Sequence, residues 1–173
     1  MTKTGTKVKL SALAPADSET LRAWINDREL VLNNAPYRPV HAAQHEAWFA
    51  AVQERPDSVI FAIRLVDGDR LIGTCQLLQI HPVHRSAELQ IRIGEADARG
   101  QGHGSEAVRL LLDFAFRDLN LHRVYLNVFA SNAAAIRAYE KAGFIHEATA
   151  REAAFIDGRY VDVAQMAALA PAS

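Results

Sequence analysis

The chain is 173 residues long, half of them hydrophobic and 23% charged; that much apolar surface excludes a disordered or fibrous protein and suits one domain. The 19 Lys and Arg against 20 Asp and Glu leave a net charge of −1, so the basic excess with which duplex-binding proteins neutralise phosphates is missing. The one cysteine, Cys75, allows no internal disulfide, no apolar run approaches the roughly 18 residues of a membrane span, and the opening MTKTGTKVKL lacks the apolar core of a signal peptide. A soluble, cytoplasmic, single domain is expected over residues 7–169, between short tails at 1–6 and 170–173, with neither nucleic acid nor membrane as a partner.

From Pro15 onward, the acids Asp17 and Glu19 precede Leu21, Trp24, Ile25 and Leu32. Acids in a first turn complement the helix dipole, and that apolar spacing marks one buried helix face. A second helix is predicted over 41–53, after an Ala-Pro-Tyr-Arg-Pro stretch that cannot continue the first. Residues 58–66 and 70–80 read as strands flanking the turn Asp67-Gly68-Asp69. Residues 86–93 alternate, with Ala87, Leu89, Ile91 and Ile93 on one face and Glu88, Gln90 and Arg92 on the other. A helical stripe follows across 103–119, then a strand over 122–129 and a helix over 132–142 closed by Gly143. The remainder, 144–169, reads as a strand hairpin around Asp157-Gly158. The order predicts a mixed α/β fold with a largely antiparallel start.

The chemistry concentrates in Ile91-Arg-Ile-Gly-Glu-Ala-Asp-Ala-Arg-Gly-Gln-Gly-His-Gly-Ser105, where a strand leads through three glycines into a helix. Glycines let backbone approach a bound group, and a helix N-terminus offers unpaired N–H groups with partial positive charge, so the pair suits a phosphate. A plain tight connection would look similar. The dinucleotide fingerprint fails, because Gly100-x-Gly102 is followed by Ser105 where a glycine belongs, and no Walker Gly-Lys-Ser/Thr occurs. What remains is Arg99-x-x-Gly102-x-Gly104.

That pattern resembles the acyl-CoA pyrophosphate signature of the GNAT acyltransferase superfamily. The later block Asn132-Ala-Ala-Ala-Ile136-Arg-Ala-Tyr139-Glu-Lys-Ala-Gly143-Phe144 resembles the same family's N-x-x-A-I-x-x-Y-E-K-x-G-F run, one strand further on. The nearest texture is the branch of ribosomal-protein-alanine and polyamine acetyltransferases; Trp24-Ile-Asn-Asp and His45-Glu-Ala-Trp48-Phe are similar to it as well. The resemblance implies a GNAT-like α/β fold, with a mostly antiparallel central sheet, splayed middle strands and flanking helices. It also implies acetyl-CoA as co-substrate, no metal, and direct transfer to a primary amine of a small molecule or peptide: a protein N-terminus, an amino sugar or nucleotide-linked amine, a polyamine or an aminoglycoside. It allows a homodimer. The alternative is a non-catalytic acyl-CoA-binding sensor or scaffold.

By the same resemblance, Ile91, Arg92 and Ile93 would border the pantetheine arm, which lies between the splayed strands. Arg99, Gly100, Gln101, Gly102, His103, Gly104 and Ser105 would hold the pyrophosphate. Asn132 would reach the pantetheine while also serving as an N-cap. Tyr139 would be the general acid for the leaving thiolate, its other reading being an aromatic packing residue. The acceptor amine, with a pKa near ~10.4, must lose a proton before attack. Glu88 is the candidate base, or else one of a solvent-facing row with Gln90 and Arg92. Cys75 reads as core, and His81 with His84 as a solvated turn. Trp24, Trp48, Phe49 and Tyr37 could wall the acceptor pocket or simply pack. Asp27, Glu29 and Glu46 are too scattered for the carboxylate-lined pocket expected of a polyamine enzyme.

Overall fold

The structure, a computed structural model, describes residues 2–172. Eight strands form one sheet: β1 (Lys3–Thr4), β2 (Val8–Ser11), β3 (Val59–Leu65), β4 (Leu71–His81), β5 (Ser86–Ile93), β6 (Arg123–Phe129), β7 (Ile145–Ile156) and β8 (Arg159–Leu169). Their spatial order is β1-β2-β3-β4-β5-β6-β8-β7, and every neighbouring pair is antiparallel except β5 with β6. Five α-helices accompany them: α1 (Ser18–Asn26), α2 (Arg28–Val31), α3 (Ala42–Val52), α4 (His103–Asp113) and α5 (Ala133–Lys141).

Alternation along β3 sorts the helices onto two faces. Phe61 and Ile63 enter the large cluster with Val108 and Leu111 of α4, while Ile60 and Ala62 meet Leu21 and Trp24 of α1 and Val52 of α3. Helix α5 lies on the α4 side, where Ala135, Ile136, Tyr139 and Ala142 pack on the large cluster. Both predicted hairpin turns form, with Gly68 at φ 74° and the Asp157-Gly158 pair at φ 49° and 81°, the left-handed conformation that short hairpins require.

Three features depart from the sequence reading. The first elements are strands: Val8 and Leu10 are fully buried and pair with Leu65 and Ile63, and Lys3–Thr4 of the supposed tail pair with β2. Two buried positions among lysines are too few to show a period. The helix predicted from Pro15 is interrupted at Asp27, which turns extended and caps α2 by accepting from the Leu30 N–H at 3.1 Å. The stripe over 103–119 ends in a π turn, Phe114–Asp118, which leaves Leu119 exposed.

The feature that positions the site is the short partnership of β5 and β6. They pair only through Ser86↔Arg123, Ala87↔Val124 and Glu88↔Tyr125. Beyond that point Leu89–Ile93 stays with β4 and Leu126–Phe129 with β8, so the two strands diverge.

Candidate active site

Half of the backbone N–H and C=O groups along the facing edges of Leu89–Ile93 and Leu126–Phe129 point into the gap without a strand partner. The gap opens into a cavity of about 680 Å³ on the α4 and α5 face, bordered by Ile91–Ile93, Asn127–Phe129, the glycine loop and α5. Gly100 (φ 72°) and Gly102 (φ 84°) occupy the left-handed region, and Gly102 caps α4. The first bond within α4 runs from the Glu106 N–H to the Gly102 carbonyl at 3.1 Å, so the preceding N–H groups have no helical acceptor. A side chain placed at Gly104 would meet nothing closer than Ile93 Cγ1 at 3.7 Å. Backbone dipoles therefore face an open, uncluttered wall, which suits an anion.

The loop is held from behind. Buried Glu106 accepts from the Thr6 hydroxyl (2.6 Å) and from the N–H groups of Thr6, Lys7 and Val8 (3.0, 2.8 and 2.8 Å). Burial alone would raise this carboxyl, but the hydrogen bonds outweigh it and hold its pKa at about 2. Lys7 Nζ donates to the Gln101 carbonyl at 2.9 Å. Arg99 turns back to donate to the carbonyls of Ile93 (3.1 Å) and Gly94 (2.8 Å), tying the loop to the end of β5.

At the other side of the cavity, Asn132 caps α5 by accepting from the Ala135 N–H at 3.1 Å. Seven residues on, Tyr139 packs edge-on against Phe144, with ring centroids 5.9 Å apart. It lines the cavity, and its hydroxyl has no hydrogen-bond partner among the described residues. Burial raises its pKa to about 12, so the group remains a proton-bearing donor at neutral pH.

A second cavity, about 400 Å³, lies on the α1 and α3 face and shares Asn34, Ile91 and Arg92 with the first. Trp24 and Trp48 do wall it, with Gln76 and Gln90 on its floor. Phe49 packs into the smaller core cluster instead, and the Tyr37 hydroxyl turns to the Asn26 carbonyl.

Comparison with known proteins matches residues 7–145 to the acetyltransferase (GNAT) domain. The chain belongs to the GNAT family. A spermidine N(1)-acetyltransferase of Vibrio cholerae is 43% identical over 96 residues, which span 56% of this chain and 55% of that enzyme. An L-amino acid N-acetyltransferase of Escherichia coli is 30% identical over 129 residues, 73% of this chain and 77% of that enzyme. The crystal structure of a Vibrio cholerae spermidine N-acetyltransferase in complex with CoA and spermine superposes with a TM-score of 0.85 at 31% identity, covering 95% of this chain and 96% of that one. The mixed α/β, mostly antiparallel GNAT sheet flanked by helices is thus the fold of this protein.

Within this GNAT fold the expected site residues divide. Ile91, Arg92, Ile93, Arg99, Gly100, Gly102, Gly104, Ser105, Asn132 and Tyr139 all border the larger cavity. Gln101 and His103 stand behind it: the Gln101 amide donates to the Asp97 carbonyl, and buried His103 donates through Nδ1 to the Ala98 carbonyl at 2.9 Å. Glu88 sits at the closed end of the splay beside Tyr125 and borders neither cavity. Burial, and then the neighbouring Glu88 carboxylate, push the Tyr125 hydroxyl up. Cys75 is buried and burial pushes its thiol up, away from the reactive thiolate. His81 and His84 stack 4.1 Å apart, and the described residues contain no cluster of three or more metal-ligating side chains.

Sequence reasoning missed Asn34, which reaches the shared wall from the segment after α2. It also missed the contact of Trp24 with Gly94, where an added Cβ would lie 2.1 Å from the indole. Neither residue carries a local signal, because each meets its partner only in the folded chain.

Proposed function

We propose that this GNAT protein is an acetyl-CoA-dependent N-acetyltransferase acting on a primary amine. The observation that carries the reading is the divergence of β5 and β6, which joins a backbone-lined cavity on one face to a side-chain-lined cavity on the other. The larger cavity takes the donor: free N–H groups at the start of α4 receive the pyrophosphate, and the unpaired edges of β5 and β6 receive the amides of the pantetheine arm. The smaller takes the acceptor, and the two substrates meet at Ile91 and Arg92.

In the reaction the neutral amine nitrogen attacks the thioester carbonyl, the C–N bond forms, the C–S bond breaks, and the amine's proton ends on sulfur. A free thiol has a pKa near ~8.5, well below the value of about 12 at Tyr139. Tyr139 therefore serves by hydrogen-bonding sulfur as charge develops and relaying the proton released by nitrogen, rather than by giving up its own proton for good. Glu88 is proposed as the more distant base, drawing the amine's first proton through water. A cytoplasmic enzyme free of nucleic acid and membrane fits the balanced charge, and no helix of the described residues is long and apolar enough to cross a membrane. Exposed Ile145, Phe155 and Tyr160 on the β7–β8 hairpin support a homodimer.

The test is thiol release from acetyl-CoA across a panel of amines, with CoA binding measured in parallel. Amine-dependent thiol release is expected. Tight CoA binding with no release for any amine would make the protein an acyl-CoA-binding module instead.

A further inference from the structure

Among the described residues, Arg92 is a cation without an anion. Side chains alternate along β5, so Arg92 shares the face of Gln90, toward α1 and α3, while Ile91 and Ile93 pack on the core that includes α4. Its Nε is fully buried and has no hydrogen-bond partner. Its polar contact is a long bond, 3.4 Å, from Nη2 to Asn34 Oδ1. Burial also pushes its pKa down, as desolvation does to any cation. Arg64, on β3, shows what a satisfied arginine looks like here: Nη2 meets both oxygens of buried Asp17 at 2.6 and 2.7 Å.

A guanidinium stays charged at neutral pH, and a buried one without a counter-charge costs stability. That cost is recovered if a ligand brings the anion. The smaller cavity supplies no carboxylate: its lining contains neither Asp nor Glu. What it does supply, through Leu21, Trp24, Ile25, Val40, Trp48 and Ile60, is an apolar wall for a hydrophobic body.

We propose that Arg92 binds a carboxylate on the acceptor, so that the acceptor is an amino-acid-like molecule, with amine, carboxylate and apolar side chain, rather than a polyamine. This rests on the acetyltransferase reading for the fate of the amine, and on Arg92 alone for the carboxylate. A polyamine would bring several ammonium groups to a pocket whose one fixed charge has the same sign, with no carboxylate to offset it. Arg92 borders both cavities, but its side chain shares the Gln90 face of β5, whereas Gly104 faces Ile93, so the phosphate-binding loop stands on the other side of the strand from the guanidinium.

Leucine and phenylalanine are compared with their carboxamides and with spermidine, by thiol release. In parallel, 4-methylpentanoate and 4-methylpentanamide, which have no amine to react, are titrated into the CoA-loaded protein and read by melting temperature. The acids are expected to bind and react better than the amides by about 10- to 100-fold, the range of a hydrogen bond to a charged group. Spermidine should be the poorest acceptor. Arg92→Met should erase the acid preference and melt at or above the wild type, since a half-buried charge with no counter-charge is gone. Arg92→Lys should keep part of the preference. Equal binding of acid and amide, a preference surviving in Arg92→Met, or spermidine outperforming the acids overturns the role of Arg92 and leaves the transferase standing. An intact acid preference with no thiol release from any amine overturns the transferase and leaves the anion site.

Discussion

The two cavities share a wall but are built from different materials. The larger presents backbone: three glycines, a helix N-terminus and two strand edges, stiffened from behind by Glu106 and Arg99. The smaller presents side chains: two tryptophans carried by α1 and α3, and paired glutamines and an uncompensated arginine carried by β4 and β5. A backbone-built site recognises what every donor of one class has in common, whereas a side-chain-built site can be altered one residue at a time. Relatives of this chain are named for spermidine in one case and for L-amino acids in another.

The largest effect is expected inside the larger cavity. Tyr139→Phe should lower kcat by ~10²–10⁴-fold, the usual range for a positioned proton donor, with CoA affinity nearly unchanged because the ring still packs on Phe144. Equal turnover of the two proteins on acetyl-CoA would leave Tyr139 a packing residue.

A break confined to the donor side comes next. Gly104→Val has room in the fold, with Ile93 Cγ1 3.7 Å from the new Cβ, so melting should shift little. It projects into the donor cavity, and CoA affinity should fall by about 10²-fold, equivalent to roughly 3 kcal/mol. Calorimetry showing wild-type affinity would remove the phosphate role of this loop.

The support behind the loop can be removed separately. Glu106→Gln replaces an acceptor of four bonds with an amide that turns donors toward N–H groups, and should destabilise the protein by about 1–3 kcal/mol in urea unfolding. The folded carboxyl titrates at about 2 against an ordinary 4.5, so the unfolded chain takes up the proton first. Its contribution is therefore complete above the ordinary value and lost as pH falls toward 2. The gap in stability between wild type and variant should narrow over that window, and a constant gap would show that Glu106 is not the group responsible.

On the acceptor side, Gly94→Ala should act in the opposite sense from Gly104→Val. Its Cβ would fall 2.1 Å from Trp24 Cδ2, forcing the indole off its seat. The KM for the acceptor should rise about tenfold, by roughly the transfer free energy of a displaced aromatic contact, while CoA binding holds. An effect on CoA alone would dissolve the distinction between the two cavities.

The smallest effect is expected at Glu88, which borders neither cavity. Glu88→Gln should slow acetylation at neutral pH by less than ~10-fold, below the ~10²-fold at which direct general-base catalysis begins. The loss should shrink at alkaline pH, where the amine is already neutral. A pH–rate profile identical to wild type would return Glu88 to a strand-end residue beside Tyr125.

How much of this was legible in the chain follows from where the information resides. Arg99 through Ser105 and Asn132 through Phe144 are local patterns, in which glycine conformation, capping and helix start are decided within a few residues, and the structure sets both around one cavity. Helix α2 was hidden because Asp27 breaks an apolar stripe that continues through it. The first strands were hidden because Val8 and Leu10 owe their burial to β3, more than fifty residues away.

By itself, then, the sequence determined the order of the elements from β3 onward, the turns between hairpin strands, the glycine loop and the face of α5 that carries Tyr139. These depend on dihedral preferences and on periods of 2 and 3.6 residues, which are properties of neighbours along the chain. Tertiary contacts alone decide that β5 and β6 part after three residue pairs, that Glu106 is satisfied by the N-terminal backbone, and that Arg92 has no anionic partner among the described residues. Each of these is settled by what a distant segment does or does not supply. An alternating strand reads the same whether its polar row meets water, a carboxylate or, as at Arg92, a cavity whose lining holds no carboxylate.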